Sequence, residues 1–399
     1  MIEVLTKREV QEFIKDHLYD DPAALMLKAN QYPEWPMKEI VEQIQSKRKA
    51  KTKLQSWFEV EGIIYPPLLS MEQCSSEMTA KYKASLVPEG SSMADFTGGF
   101  GVDFAFLSQR FERSTYIERQ SGLVELAKYN FEKLGLSGIE LHHGESRELL
   151  SAQNTYDLIY LDPARRGGHN EKVVKLEDCE PDILELLPKL LAKAKRVILK
   201  TSPLLDIKGA ITQLGCVEEV HVVSVSNEVK ELVFILNKEA TDEPKIHCIN
   251  LRSKGNESFQ FTFDEEEREV IGQAEVESYL YEPNTSILKA GAFKSVGTRY
   301  GLSKLHANSH LYTSPEQVSD FPGRAFKVVD SISLNRKVLK RYFPTMKANI
   351  TVRNFPMTVA QIRKKSGLKE GGDLYLFGTT DLTGKRLLLC EKVDTEQEN

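Results

Sequence analysis

The sequence predicts an α/β protein: a doubly wound, seven-stranded sheet ending in a β-hairpin, with a helical segment before it and a smaller α+β module after it. Three observations carry this reading. From about residue 75 to 238, short β-branched or aromatic runs alternate with stretches that repeat apolar residues at helical spacing, the pattern of βαβ units. The last two runs, Val220–Val225 and Leu232–Leu236, are separated by Ser226-Asn227-Glu228-Val229-Lys230-Glu231, too short for a crossover helix, so they pair antiparallel. The 399 residues are 41% hydrophobic and 28% charged, which suits two or three folded domains and excludes collagen-like, wholly disordered and membrane-spanning chains.

Each segment follows in order. Residues 1–74 read as helical: Thr6-Lys7-Arg8-Glu9 has the form of a capping box ahead of Val10, Phe13, Ile14 and Leu18, Asp21-Pro22 that of an N-cap pair, and Pro36 opens a helix through Val41 and Ile44. The basic run Lys47–Lys53 reads as a solvated helix face. Within 75–238 the expected strands are Met93–Phe96, Thr115–Ile117, Ile139–His142, Leu158–Leu161, Val197–Lys200 and the two hairpin runs. The expected helices are Leu123–Leu134, Ile183–Ala192 and Ile207–Leu214. Residues 239–322 begin with the polar linker Ala240–Lys245 and continue through weak strand signals, an acidic run Asp264–Glu269 that reads as solvated, and a helix-like Ser286–Phe293. Residues 323–399 offer strand Asn349–Val352, helix Val359–Ser366, a Gly367/Gly371-Gly372 turn, and strands Asp373–Gly378 and Arg386–Cys390.

Five scattered cysteines (Cys74, Cys179, Cys216, Cys248, Cys390) without C-x-x-C spacing argue against a disulfide framework or zinc ribbon and for a reducing compartment. The first residues lack the apolar core of a signal peptide, so the cytoplasm is the expected location. The formal net charge of -5 sums unlike parts. Residues 323–392 hold fifteen basic and five acidic side chains, whereas 61–322 carry -12, an asymmetry that suits docking of the basic module on a polyanion.

Four strand ends carry the candidate chemistry. Asp95-Phe96-Thr97-Gly98-Gly99-Phe100-Gly101-Val102-Asp103 follows a strand and opens a helix, where glycines let a ligand approach the backbone. Glu118, at the end of the next strand, sits where a carboxylate can grip a ribose diol. Asp103 occupies the place of the third glycine of a dinucleotide motif; a carboxylate there repels pyrophosphate but suits a methionine ammonium, which favours S-adenosylmethionine as ligand. Glu145 can accept from an adenine amine, though a solvated loop carboxylate fits it equally well. Finally, Asp162-Pro163-Ala164-Arg165 ends the fourth strand, where Asp162 and the Pro163-linked carbonyl can hold an amine in line for attack on a methyl group.

With Cys74-Ser75-Ser76-Glu77, Thr79, Tyr82, Lys83, Leu176-Glu177-Asp178-Cys179, Lys200-Thr201-Ser202-Pro203, Tyr281-Glu282-Pro283-Asn284, Ile350–Pro356 and Gly371–Phe377, these segments resemble a class I S-adenosylmethionine-dependent methyltransferase. The likeness is to the bacterial family with a Rossmann-like methyltransferase sheet and C-terminal ferredoxin-like and THUMP-like regions, and it covers roughly 320 residues. It implies boundaries at 1–74, 75–238, 239–322 and 323–399 and rRNA or tRNA as substrate. It also implies a cofactor set of Thr79, Lys83, Asp95, Thr97, Gly98, Gly99, Gly101, Glu118 and Glu145, and a catalytic set of Asp162, Pro163 and Arg165.

Asp-Pro-Ala-Arg also resembles the motif of RNA uracil-C5 methyltransferases, but the position of their cysteine nucleophile is Thr201 here, so direct transfer to a nitrogen is expected. The missing stacking aromatic leaves Arg165 or Phe100 to hold a base. Arg336, Lys337, Lys340, Arg341, Arg353, Arg363, Lys364 and Lys365, interleaved with Tyr342, Phe343 and Phe355, are the expected RNA contacts. His142-His143 and His306/His310 lack completing ligands and read as structural, and no metal is expected. The rival readings are a small-molecule or protein methyltransferase and a non-catalytic RNA-binding protein that keeps the fold.

Overall fold

Central parallel strands are buried on both faces and therefore appear as short apolar runs, while their paired polar ends are invisible to hydropathy. The computed structural model describes residues 2–150, 154–165, 175–241 and 243–393. Its first sheet contains β1 (Gly90–Asp95), β2 (Phe111–Glu118), β3 (Ile139–His143), β4 (Tyr156–Leu161), β5 (Ala194–Thr201), β6 (Val217–Val225), β7 (Glu228–Leu236), β8 (Lys245–Leu251) and β9 (Glu257–Phe261). The order is β9-β8-β6-β7-β5-β4-β1-β2-β3, with β3, β2, β1, β4 and β5 parallel. Ile159, Val197, Ile198 and Leu199 are fully buried along its centre.

The seven expected strands are all present and each is extended at one or both ends, though β1 stops at Asp95, one residue short of the expected Phe96. The hairpin is tighter than expected. Only Ser226 and Asn227 lie between β6 and β7, both at positive φ (49° and 66°), the geometry of a two-residue turn that matches strand twist. Two further strands enlarge the sheet: β8 pairs parallel with β6 and β9 antiparallel with β8. Their hydropathy was weak because His247, Asn250 and Gln260 interrupt the apolar alternation.

Helices Val102–Leu107, Ser121–Lys133, Ile183–Lys193 and Ile207–Leu214 accompany the strands and bury Phe104, Phe131, Leu186 and Leu190. At the N-terminus, Asp21 caps its helix as expected, accepting from Ala24 N–H at 3.0 Å. Thr6 does not cap Arg8–Asp16. Its hydroxyl donates back to the Glu3 carbonyl, and Lys7 occupies the N-cap without a side-chain bond. The helix Met37–Lys53 turns its basic run onto neighbours: Arg48 donates to the Leu18 and Asp20 carbonyls and Lys53 to that of Glu72. Asn130 brackets the Ile64 backbone with bonds of 3.0 and 2.8 Å, fixing the linker ahead of the sheet.

A second sheet comprises β10 (Tyr279–Pro283), β11 (Ser303–Lys304), β12 (Tyr312–Ser314), β13 (Gly323–Ser331), β14 (Asn349–Val352), β15 (Leu374–Asp381) and β16 (Gly384–Val393), in the order β11-β12-β10-β13-β16-β15-β14. Leu339, Phe343, Ile362 and Leu376 form its main core. The acidic run is not merely solvated. The Glu266 carboxylate accepts from the backbone N–H groups of Phe293, Lys294 and Ser295 at 3.0, 2.8 and 2.9 Å, anchoring that segment. The chain divides into two compact units, 1–218 with 233–241 and 219–232 with 242–399. Among the described residues no helix is long and apolar enough to cross a membrane.

Candidate active site

The turn after β1 owes its glycines to space. A Cβ on Gly98 would stand 2.4 Å from the Tyr116 ring and 2.9 Å from the Ile117 carbonyl; on Gly101, at φ +82°, it would stand 2.6 Å from Phe131. The turn is bolted to the end of β2. Gly98 N–H donates to Ile117 O at 2.9 Å, and Glu118 accepts from Gly99 N–H at 2.9 Å and Gln120 N–H at 2.8 Å.

Asp95, 1% exposed, accepts from Thr97 N–H at 2.8 Å and from the Thr97 hydroxyl at 3.2 Å. Burial pushes its carboxyl up to about 8 against those two bonds, with the charges of Asp103 and Asp162 adding to the rise. The Thr97 hydroxyl also accepts from Asp162 N–H at 2.6 Å, joining the end of β1 to the end of β4. Asp162 is pinned in turn by a salt bridge to Lys200 on β5.

These groups face one cleft of about 320 Å³ at the carboxyl ends of the strands, lined by Asp95, Thr97, Gly98, Gly99, Gly101, Glu118, Glu145 and Asp162. The cleft therefore gathers seven of the nine expected cofactor residues and one of the three catalytic ones. Thr79 and Lys83 are not among its lining residues. Thr79 is buried against Ser76, and the fully buried Lys83 ammonium lies 3.1 Å from Asp103, which also accepts from Ser75 and Tyr160 at 2.7 and 2.6 Å. Burial raises the Asp103 carboxyl, but the charges of Lys83 and Lys200 outweigh it and hold the group low. Asp103 lines the cleft too, but its charge is already met from within by Lys83. Sequence spacing could not show this, because Lys83 arrives from a helix twenty residues upstream.

Phe100 is also corrected. It lines the cleft but is 7% exposed and packs on Trp57, ring centroids 5.0 Å apart, which leaves little of its face open to a base. The side chain of Arg165 lies outside the described residues, as do Arg166–Gly168. Pro163 follows Asp162 directly and is half-buried.

A crystal structure from Porphyromonas gingivalis W83, of a protein assigned as a methyltransferase, matches 98% of this chain and 98% of its own length at 35% identity, with a TM-score of 0.87. This chain belongs to that methyltransferase family. Proteins of Mycobacterium tuberculosis strains CDC 1551 and H37Rv, named as uncharacterised S-adenosylmethionine-dependent methyltransferases, are each 21% identical over 75% of the chain and 80% of their own length. A ferredoxin-like domain model matches residues 279–322 of the methyltransferase, and a THUMP domain-like model residues 323–392.

In that last region of the methyltransferase, Arg336, Lys337, Lys340 and Arg341 stand exposed on one helix, Arg336–Tyr342, and Lys364 and Lys365 on another, Val359–Ser366. Two expected contacts are engaged internally. Arg363 pairs with Glu370 at 3.5 Å, and Arg353 with the buried Glu282 at 2.9 Å. Arg324, which the sequence did not single out, joins Arg353 on that same carboxylate and lies over the Phe326 ring at 5.5 Å. The interleaved aromatics are packing groups: Phe343 is 2% exposed, and Tyr342 and Phe355 pack on the same core.

Proposed function

We propose that this enzyme transfers a methyl group from S-adenosylmethionine to a nitrogen of an RNA base, without a covalent protein–base bond. The cleft suits that donor chemically. Its lining offers the carboxylates Glu118, Glu145 and Asp162 and the backbone of the glycine turn, and among the described residues its one guanidinium, Arg119, already pairs with Glu180 at 3.1 Å. Such a set favours a cation with a ribose diol over a pyrophosphate. Bound there, S-adenosylmethionine supplies an electrophilic methyl group on a sulfonium. Glu118, already oriented by two backbone N–H groups, would take the ribose, and Glu145, exposed at the rim, the adenine.

The observation that carries the nitrogen target is the pinned Asp162. Lys200 occupies Oδ2, which fixes the carboxylate and leaves Oδ1 to accept from an amine and aim its lone pair. Covalent catalysis finds no support in the same walls. Burial pushes the Cys74 thiol up to about 11, so it stays protonated, and Thr201 is not among the residues that line the cleft. RNA as substrate is supported by the THUMP domain-like match and by the regional excess of fifteen basic over five acidic residues in 323–392. In this reading 75–238 does the chemistry and 323–399 docks rRNA or tRNA. Labelled methyl transfer to total RNA lacking the modification, followed by nucleoside analysis, tests it: an N-methylated nucleoside is expected, and a C5-methylated pyrimidine overturns it. Asp162→Ala should lower turnover at least about 100-fold while S-adenosylmethionine still binds.

A further inference from the structure

We propose that Glu219, His221 and His247 form a binding site for a divalent transition metal of the zinc class, on the sheet formed by β6 and β8. Glu219 and His221 are alternate residues of β6 and therefore share one face. His247 stands directly opposite His221 in the parallel β6–β8 register, which brings its side chain to that face as well. The intervening positions, Val220, Val222, Ile246 and Cys248, are fully buried apolar residues. One side of the strand pair is ordinary core and the other carries three donors.

The side chains confirm what the register places together. The imidazole rings are stacked, centroids 4.5 Å apart and 10° from parallel. Glu219 Oε2 lies 3.0 Å from His221 Nε2 and 3.8 Å from His247 Nε2, and one donor atom from each residue lies within 4.8 Å of the others. Ligand atoms of a tetrahedral zinc site, each about 2.0–2.2 Å from the ion, stand about 3.3 Å from one another, so side-chain rotation that tilts the two stacked rings out of parallel closes this set around a cation. His247 Nε2 points to a ligand independently: it is buried and has no hydrogen-bond partner, a costly condition for a ring nitrogen that a metal relieves. Two imidazoles and a carboxylate suit zinc, cobalt or nickel better than calcium or magnesium. Half-exposed Glu219 leaves an approach from solvent, and Lys245, opposite it, is exposed and free to swing its ammonium away. An ion there would tie β8 to β6, two strands that share no short connection.

The test uses the tag-free full-length protein after chelator treatment, titrated with zinc against a chromophoric competitor and with cobalt by visible absorption. Saturation at one ion per chain, with cobalt bands of a four- or five-coordinate nitrogen/oxygen site, is expected. His247→Gln and Glu219→Gln should each weaken zinc binding by more than the roughly 10-fold that loss of an outer-shell partner already costs. Both variants should abolish the zinc-induced rise in melting temperature while S-adenosylmethionine binding persists as the control for folding. Non-saturating uptake, binding unchanged in both variants, or binding that is lost in Cys74→Ser instead overturns the site.

Discussion

The cleft at the strand ends and the basic C-terminal module both concentrate ionisable groups, yet they treat them in opposite ways. In the cleft, Asp103 and Glu118, each 8% exposed, are engaged by a buried ammonium, hydroxyls and backbone N–H groups, and Asp95, 1% exposed, is pushed by burial toward its neutral form. In the module, Arg336, Lys337, Lys340 and Arg341 stand in water. Buried charge demands a partner and so becomes architecture, whereas exposed charge costs little and stays available to a polyanion. Arg353 and Arg324 lie between these extremes. They are half-exposed but share the 3% exposed Glu282, so two guanidiniums are held in place with one charge left uncompensated.

The sharpest break of this contrast is Lys83→Met, which takes the buried ammonium away from the Asp103 carboxylate and leaves it the Ser75 and Tyr160 hydroxyls. Loss of one partner from a buried pair should cost about 3–5 kcal/mol, read from denaturant midpoints, and a cost near zero would show that the pair is not structural. Next, Arg336, Lys337, Lys340 and Arg341 changed together to Ala should weaken RNA binding on the order of 100-fold at physiological salt and flatten the salt dependence by about 0.7 per lost phosphate contact. Stability should barely move. A third effect concerns pH. The folded Asp95 carboxyl keeps its proton up to about 8, whereas the unfolded one releases it near 4, so between those values the folded state binds more protons and stability falls as pH rises. Asp95→Asn should remove that decline in melts taken from pH 5 to 8.5, and a cationic ligand should bind the native protein more tightly as pH rises through 8. Least of all, Lys364→Ala and Lys365→Ala should alter stability by less than about 0.5 kcal/mol, since each is exposed at the end of a well-capped helix.

Local sequence alone determined a great deal. The βαβ alternation set seven strands of the sheet but not β8 and β9, the interval between Val225 and Leu232 set the hairpin, and Asp95, Glu118 and Asp162 were legible as candidates because ligands of open α/β sheets bind at the carboxyl ends of strands. These features depend on periodicity and on neighbours a few residues away. Tertiary structure decided every pairing across long separations. It placed Lys83 on Asp103 and Lys200 on Asp162, buried Phe100 under Trp57, gave Arg353 to Glu282, and set His247 against His221. A charge or a ring has the same composition wherever it sits. Whether it serves a ligand, the core or a neighbouring ion depends on which distant segment the fold brings within a few ångströms, and that choice is made by packing.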